Sequence, residues 1–246
     1  MGEVYGFLSG KGGTGKTSVC AGLAEALANA GKRVLCIDCD VGLRNLDISL
    51  GLSDSGALSF LDIAQGGYSL DAACHSAVYP TLFFLTAPMN CRPESIEQGA
   101  FDGLLRDARA RFDYVFLDAP AGVDAMFRLI SRGADSLILV TGPGPAAVRD
   151  AARVAELLEL SGKTRVRLVV NRIQKEMLTA VRLTVDDVMD ATGVPLLGVV
   201  MEDPCVTLAA AFGQSLCAYS KRSPAAKAMG RMAKRLQGYS VPIPQK

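Results

Sequence analysis

Residues Ser9-Gly10-Lys11-Gly12-Gly13-Thr14-Gly15-Lys16-Thr17-Ser18 follow the apolar run Val4 to Leu8 and lead into an alanine-rich stretch with helical spacing. Every fixed position of GxxxxGK[ST] is filled, and a strand before and a helix after are the surroundings that a phosphate-binding loop requires. Gly10, Gly12, Gly13 and Gly15 let the backbone take positive φ and approach an anion closely. Lys16 brings a cation to the β- and γ-phosphates, and the Thr17 hydroxyl suits a magnesium ion. The helix opening at Lys16 turns its first N–H groups, through Ser18, toward the same phosphates. The segment reads as the binding site of a nucleoside triphosphate. Lys11 is a second lysine that such a loop does not itself need.

Working outward, short β-rich runs alternate with helical patterns. Strands are expected at Val4 to Leu8, Val34 to Ile37, Leu82 to Leu85, Tyr114 to Leu117, Ser136 to Thr141, Val166 to Asn171 and Leu196 to Val200. Helices are expected over Lys16 to Ala30, Gly56 to Gln65, Glu94 to Ala110, Ala125 to Ser131, Ala146 to Leu160, Thr184 to Ala191 and Ser223 to Gln237. Gly31, Gly66 and Gly162 stand where C-caps belong. This alternation predicts an α/β fold of the P-loop NTPase kind: a doubly wound, mostly parallel sheet with helices on both faces. No linker or repeat interrupts it, so residues 1–246 are expected to form one domain.

Composition narrows the function classes. Half the residues are hydrophobic and 21% are charged, which excludes disorder and fits a sheet covered on both sides. No apolar run reaches the roughly 20 residues a membrane crossing needs, and a cytoplasmic location is expected, with peripheral association at the inner face of the membrane as the alternative. Seven scattered cysteines suggest buried thiols rather than disulfides. Cys36 and Cys39, three apart on a strand, point to opposite faces and are unsuited to sharing a metal. His75, the single histidine, removes His-rich zinc sites and makes a Ser-His-Asp triad unsuitable. The net charge is +1, yet no acidic residue follows Asp203 while Lys221, Arg222, Lys227, Arg231, Lys234, Arg235 and Lys246 do.

Two strands end in carboxylates where the loop should open. Val34-Leu35-Cys36-Ile37 runs into Asp38-Cys39-Asp40, which suits either a magnesium ion held through water and an attacking water, or a turn with helix-capping aspartates. Tyr114-Val115-Phe116-Leu117-Asp118 has the Walker B pattern, with Asp118 holding magnesium through water and Gly122 as a switch glycine. Asn171, followed by Arg172, either hydrogen-bonds a base edge or is a left-handed strand-end residue. Asn171-Arg172-Ile173-Gln174 lacks the acid of the guanine-reading N-K-x-D, so adenine is favoured.

The doubled-lysine loop, Asp38-Cys39-Asp40-Val41-Gly42-Leu43-Arg44-Asn45-Leu46-Asp47 and Leu117-Asp118-Ala119-Pro120-Ala121-Gly122 together resemble the MinD/ParA family of deviant-Walker P-loop ATPases, on its MinD rather than its plasmid-partition side. The similarity continues through Gly142 to Asp150 and Leu197 to Asp203, nearly the whole chain. It implies an ATP- and Mg2+-dependent ATPase switch that dimerises with ATP, recruits a partner in division-site selection or related spatial regulation, and is released by hydrolysis. By that resemblance Lys11 reaches the phosphates of a partner copy while Lys16 serves its own. Asp40 positions the attacking water, Thr17 binds magnesium directly, and Asp38 and Asp118 act through its waters. Glu202 and Asp203 match a loop that touches adenine and ribose, beside Asn171 and Arg172.

The departures bear on partners. Membrane-bound members carry an amphipathic helix beyond the last body helix, whereas this sequence stops at Tyr239 to Lys246, with Pro242 and Pro244, so membrane cycling of that kind is not expected. Ala152 and Met201 replace an aspartate and a proline common in the family, the former where MinC is met, which leaves a MinC/MinE-like regulator open. The basic helix near the C-terminus is expected to pack on the domain rather than on lipid. The alternative is a ParA-like cargo-positioning ATPase that holds DNA nonspecifically through that basic region.

Overall fold

The computed structural model describes residues 1–53, 55–76, 78–174 and 184–243. The expected fold class is the one observed. Strands β1 (Glu3–Leu8), β2 (Val34–Asp38), β3 (Cys74–His75), β4 (Leu82–Leu85), β5 (Tyr114–Asp118), β6 (Ser136–Thr141), β7 (Val166–Ile173) and β8 (Leu196–Met201) form one sheet. Their order is β3-β4-β2-β5-β1-β6-β7-β8, parallel throughout except for β3 against β4. The helices among the described residues are α1 (Lys16–Asn29), α2 (Leu46–Leu50), α3 (Phe60–Ala64), α4 (Gln98–Arg111), α5 (Ala125–Gly133), α6 (Pro145–Leu160), α7 (Val185–Thr192), α8 (Pro204–Ala211), α9 (Leu216–Ser220) and α10 (Pro224–Leu236).

Strand alternation divides the core between two faces. Val4 and Leu8 of β1, Leu35 and Ile37 of β2, and Val115 and Leu117 of β5 meet α4, α5 and α6 on one side. Tyr5, Phe7, Val34, Cys36 and Phe116 meet α1 and α10 on the other. Cys36 and Cys39 fall in these opposite clusters, as their spacing required. His75 is exposed beside Phe83, outside any site.

All seven expected strands form. β3 is two residues long, too short for periodicity to reveal, and α2, α8 and α9 are one- or two-turn helices without a readable stripe. The expected helix at Gly56 to Gln65 is trimmed to α3, because Ser59 and Asp62 form a capping box that starts it later. The stretch from Glu94 opens as a 3-10 turn over Pro93–Ser95 before α4. Gly31, Gly66 and Gly162 take positive φ at helix ends, as expected.

The basic C-terminal helix packs on the body. Along α10, Ala225, Ala226, Ala228, Met229, Met232 and Ala233 are buried. Its approach depends on two glycines: a Cβ at Gly22 of α1 would stand 2.7 Å from Met229 Cγ, and one at Gly198 of β8 would stand 2.5 Å from Met232 Cγ. Burying each methionine contributes about 1.5 to 3 kcal/mol. Arg235 donates to the carbonyls of Leu197, Val241 and Pro242, which ties the following chain back onto the sheet edge. Pro244 and Lys246 lie outside the described residues.

Candidate nucleotide site

Parallel strands that cross over to opposite faces leave a crevice at their C-terminal ends. β1, β2 and β5 deliver the phosphate loop, Asp38 and Asp118 there, with Asp38 and Asp118 in register as neighbours. Within the loop, Gly13 and Gly15 have φ of 80° and 78°, which a side chain would strain. Gly10 matters for a different reason than φ, since a Cβ there would lie 2.6 Å from the Asp150 backbone in α6. Gly12 and Gly13 border open space.

The buried charges of the site already have partners. Lys16 Nζ donates to Asp118 Oδ1 at 2.6 Å, and Thr17 Oγ1 donates to Asp118 Oδ2 at 2.7 Å. Burial alone would push the Lys16 amine down, but the charge and hydrogen bond of Asp118 outweigh it and hold the amine above its ordinary value. Asp38 accepts from the backbone N–H groups of Asp40 at 2.9 Å and of Asn45 and Leu46 at 3.1 Å. It staples the turn and the start of α2, the capping alternative among the two readings of this carboxylate. Burial first, and the Asp118 charge second, raise its carboxyl to about 6, against the pull of those three donors. Asp40 is half-buried; desolvation raises its carboxyl while Lys16 draws it down. Arg44, at φ 43°, donates twice to the Ala87 carbonyl and closes this turn from outside. Arg44 stands within the family-like string Asp38 to Asp47, but nothing in that string pointed to its anchor on Ala87.

Two adjoining cavities share Gly15. One, of about 440 Å³, lies between loop residues 11–17, Asp40, Asn45 and Pro120. The other, of about 160 Å³, is lined by Ser18, Asn171, Arg172, Glu202 and Asp203, with Met229 of α10 among its walls. Asn171 Nδ2 donates to the Thr14 carbonyl at 2.8 Å. The left-handed residue is Arg172, φ 58°, so the strand-end alternative for Asn171 is set aside. Asp203 is buried and spends its carboxylate on the N–H groups of Cys205 and Ala225, each at 3.0 Å. Burial opposes its ionisation, yet these donors outweigh burial and hold the carboxyl below its usual range. Asp203 thus shapes the cleft that it lines by capping α8 and reaching the first turn of α10. Lys11 is exposed and makes no hydrogen bond or ion pair among the described residues.

This donor set fits a magnesium nucleotide. Among the described residues no three His, Cys, Asp or Glu side chains gather into a metal cage, so a hard cation would depend on the Thr17 hydroxyl, phosphate oxygens and water. The cavity on the phosphate side has the loop and Lys16 on its wall, and the smaller one adjoins it at Gly15.

Residues 5–216 match the CobQ/CobB/MinD/ParA nucleotide binding domain. The septum site-determining protein MinD of Synechocystis sp. is 36% identical over 245 residues, 99% of this chain and 92% of the relative. The chain belongs to the MinD/ParA family. The MinC:MinD cell division protein complex of Aquifex aeolicus contains a chain similar at 32% identity and TM-score 0.90, covering 99% of both chains. MinD of Pyrococcus horikoshii, complexed with Mg-ADP, is similar at 26% identity and TM-score 0.82 over 96% of both. As a MinD/ParA ATPase of the MinD type, this chain uses ATP and Mg2+. Among the described residues no helix is long and apolar enough to cross a membrane.

Proposed function

We propose that the chain is a MinD-type ATPase switch in division-site selection: ATP closes two copies face to face, the dimer recruits a partner, and hydrolysis releases it. One observation carries the reading. The loop's own lysine, Lys16, is buried and committed to Asp118 at 2.6 Å, whereas Lys11 stands exposed on the same cavity without a partner among the described residues. A charge held ready outside its own site suits delivery to a second copy's phosphates, the logic of an arginine finger.

Within one subunit, Lys16 would exchange Asp118 for phosphate oxygens. Thr17 would hold the magnesium ion directly and Asp118 through water, and Asp38, which ends the neighbouring strand and also caps α2, would reach it only through water. Asp40, which lines the phosphate cavity and has its carboxyl raised by desolvation, would orient the attacking water. In the smaller cleft, the Thr14 carbonyl can only accept, so it fixes the Asn171 amide nitrogen toward the loop. The Asn171 oxygen is left to accept from the adenine amino group, and Arg172 and Glu202 border the ribose side. A MinC-like protein is the partner favoured, because the Aquifex chain in a MinC:MinD complex superposes over 99% of this one.

Light scattering on Asp40→Ala, which should bind ATP without turning it over, tests the switch. A dimer with ATP and a monomer with ADP are expected; a monomer in both would sink the reading.

A further inference from the structure

Across a trans peptide, the carbonyl of one residue and the N–H of the next point in opposite directions. The carbonyls of Gly13 and Thr14 are both held from the base side of the loop. Arg172 Nη1 donates to Gly13 at 2.9 Å, and Asn171 Nδ2 donates to Thr14 at 2.8 Å. The N–H groups of Thr14 and Gly15 are therefore turned the other way, toward the phosphate cavity. Arg172 is itself gripped by Glu202, which accepts from Nε at 2.9 Å and from Nη2 at 3.3 Å. Its backbone is left-handed, at φ 58°, where the β7–β8 register breaks between Val170 and Ile173. A long side chain persists at such a φ only where its surroundings hold it.

We propose that Arg172 is a positioning residue for the phosphate loop: clamped by Glu202, it pins the Gly13 peptide so that the Thr14 N–H faces the phosphates. The proposal rests on the nucleotide reading above and adds a link within it. A residue bordering the base cleft sets affinity for the phosphates without touching them. Arg172 also joins the two cavities mechanically, since a shift of Glu202 on the β8 side is passed to Gly13 through one rigid guanidinium.

The test compares ADP with adenosine on the full chain, measured by calorimetry and by ligand-observed NMR. Arg172→Gly keeps the left-handed backbone without strain and removes only the side chain. Its ADP-to-adenosine affinity ratio should fall about tenfold, the weight of one charge-assisted hydrogen bond. Glu202→Ala should lower the same ratio by less, and the double variant should be no worse than Arg172→Gly, because the two act as one unit. Equal losses for both ligands, or additive losses in the double variant, overturn the proposal. Should Arg172→Gly fail to fold, Glu202→Ala decides alone: a lowered ratio supports the clamp, an unchanged one refutes it. Failure of the unaltered chain to bind either ligand overturns the nucleotide reading and the clamp with it.

Discussion

Helix α1 carries two buried charges of opposite fortune. At its first residue, Lys16 meets Asp118, and the partner's second oxygen is taken by Thr17. Two and a half turns on, Glu25 is fully buried with one oxygen accepting from the Cys217 N–H at 3.2 Å and the other without a partner. Tyr79 OH and Ser215 Oγ, which adjoin Glu25, are likewise unpartnered. The pair at the helix start has an opposite charge to offset desolvation, and the Lys16 amine is held above its ordinary value. Glu25 has none, so burial raises its carboxyl to about 7, against the opposing pull of the neighbouring Ser215 hydroxyl and of the Cys217 N–H. A buried charge is kept by a counter-charge; without one, the proton stays.

Removing the counter-charge breaks the comparison most severely. Lys16→Ala should abolish ADP and ATP binding in calorimetry. It should also cost roughly 3 to 5 kcal/mol of stability in denaturant melts, because Asp118 is left buried without a cation. Near-normal ADP affinity would contradict the role of Lys16. Lys11, exposed and uncommitted, gives the contrasting outcome. Lys11→Ala should bind ATP yet lose dimerisation and turnover, on the order of 10³-fold if its charge acts as a finger does. Normal dimerisation and turnover by light scattering and phosphate release would remove the trans role.

Glu25 sharpens the other half. An ordinary glutamate carboxyl titrates near 4.5, and in the folded chain this one holds its proton to about 7. Between those values the folded state binds more protons than the unfolded one, so stability falls as pH rises. The penalty, roughly 3 kcal/mol, is absent below the lower value and complete above the higher. Glu25→Gln should therefore melt above the unaltered protein at about pH 8 and converge with it toward about pH 5. A gap that stays constant with pH would assign the cost to the unpartnered oxygen instead of the charge. The smallest effect belongs to a pair fully in water. Arg153 and Glu156 meet at 2.6 Å on α6 but are more than half exposed. Arg153→Ala should change stability by no more than about 0.5 kcal/mol.

These contrasts show what linear pattern can reveal. The phosphate loop was legible because its chemistry is local, the eight residues Gly10 to Thr17 whose spacing alone implies an anion. Asp118 was legible as the end of an apolar strand, though its bond to Lys16 spans 102 residues. Asp38 kept two readings in the sequence, and only the positions of the Asn45 and Leu46 N–H groups show that its Oδ2 caps α2, a task beside the magnesium role and not against it. Glu25 gave no signal. In an alanine-rich helix it reads as a solvated position, and its burial depends on α9, 192 residues away. Arg172 and Asn171 were visible as candidates, but their hold on the Gly13 and Thr14 carbonyls joins residues more than 150 apart.

The two-residue strand β3 also has a bearing on the fate of the protein in a crowded solution. β4 is Leu82-Phe83-Phe84-Leu85, four large apolar residues in succession, and it would otherwise end the sheet with open backbone donors and acceptors. An uncovered edge of that composition is a template for intermolecular pairing and fibre growth. Cys74 and His75 pair antiparallel with Phe84 and Phe83 and blunt that edge. Insertions or prolines at Cys74 or His75 should therefore show themselves as precipitation and cross-β dye binding, even where the nucleotide site is untouched.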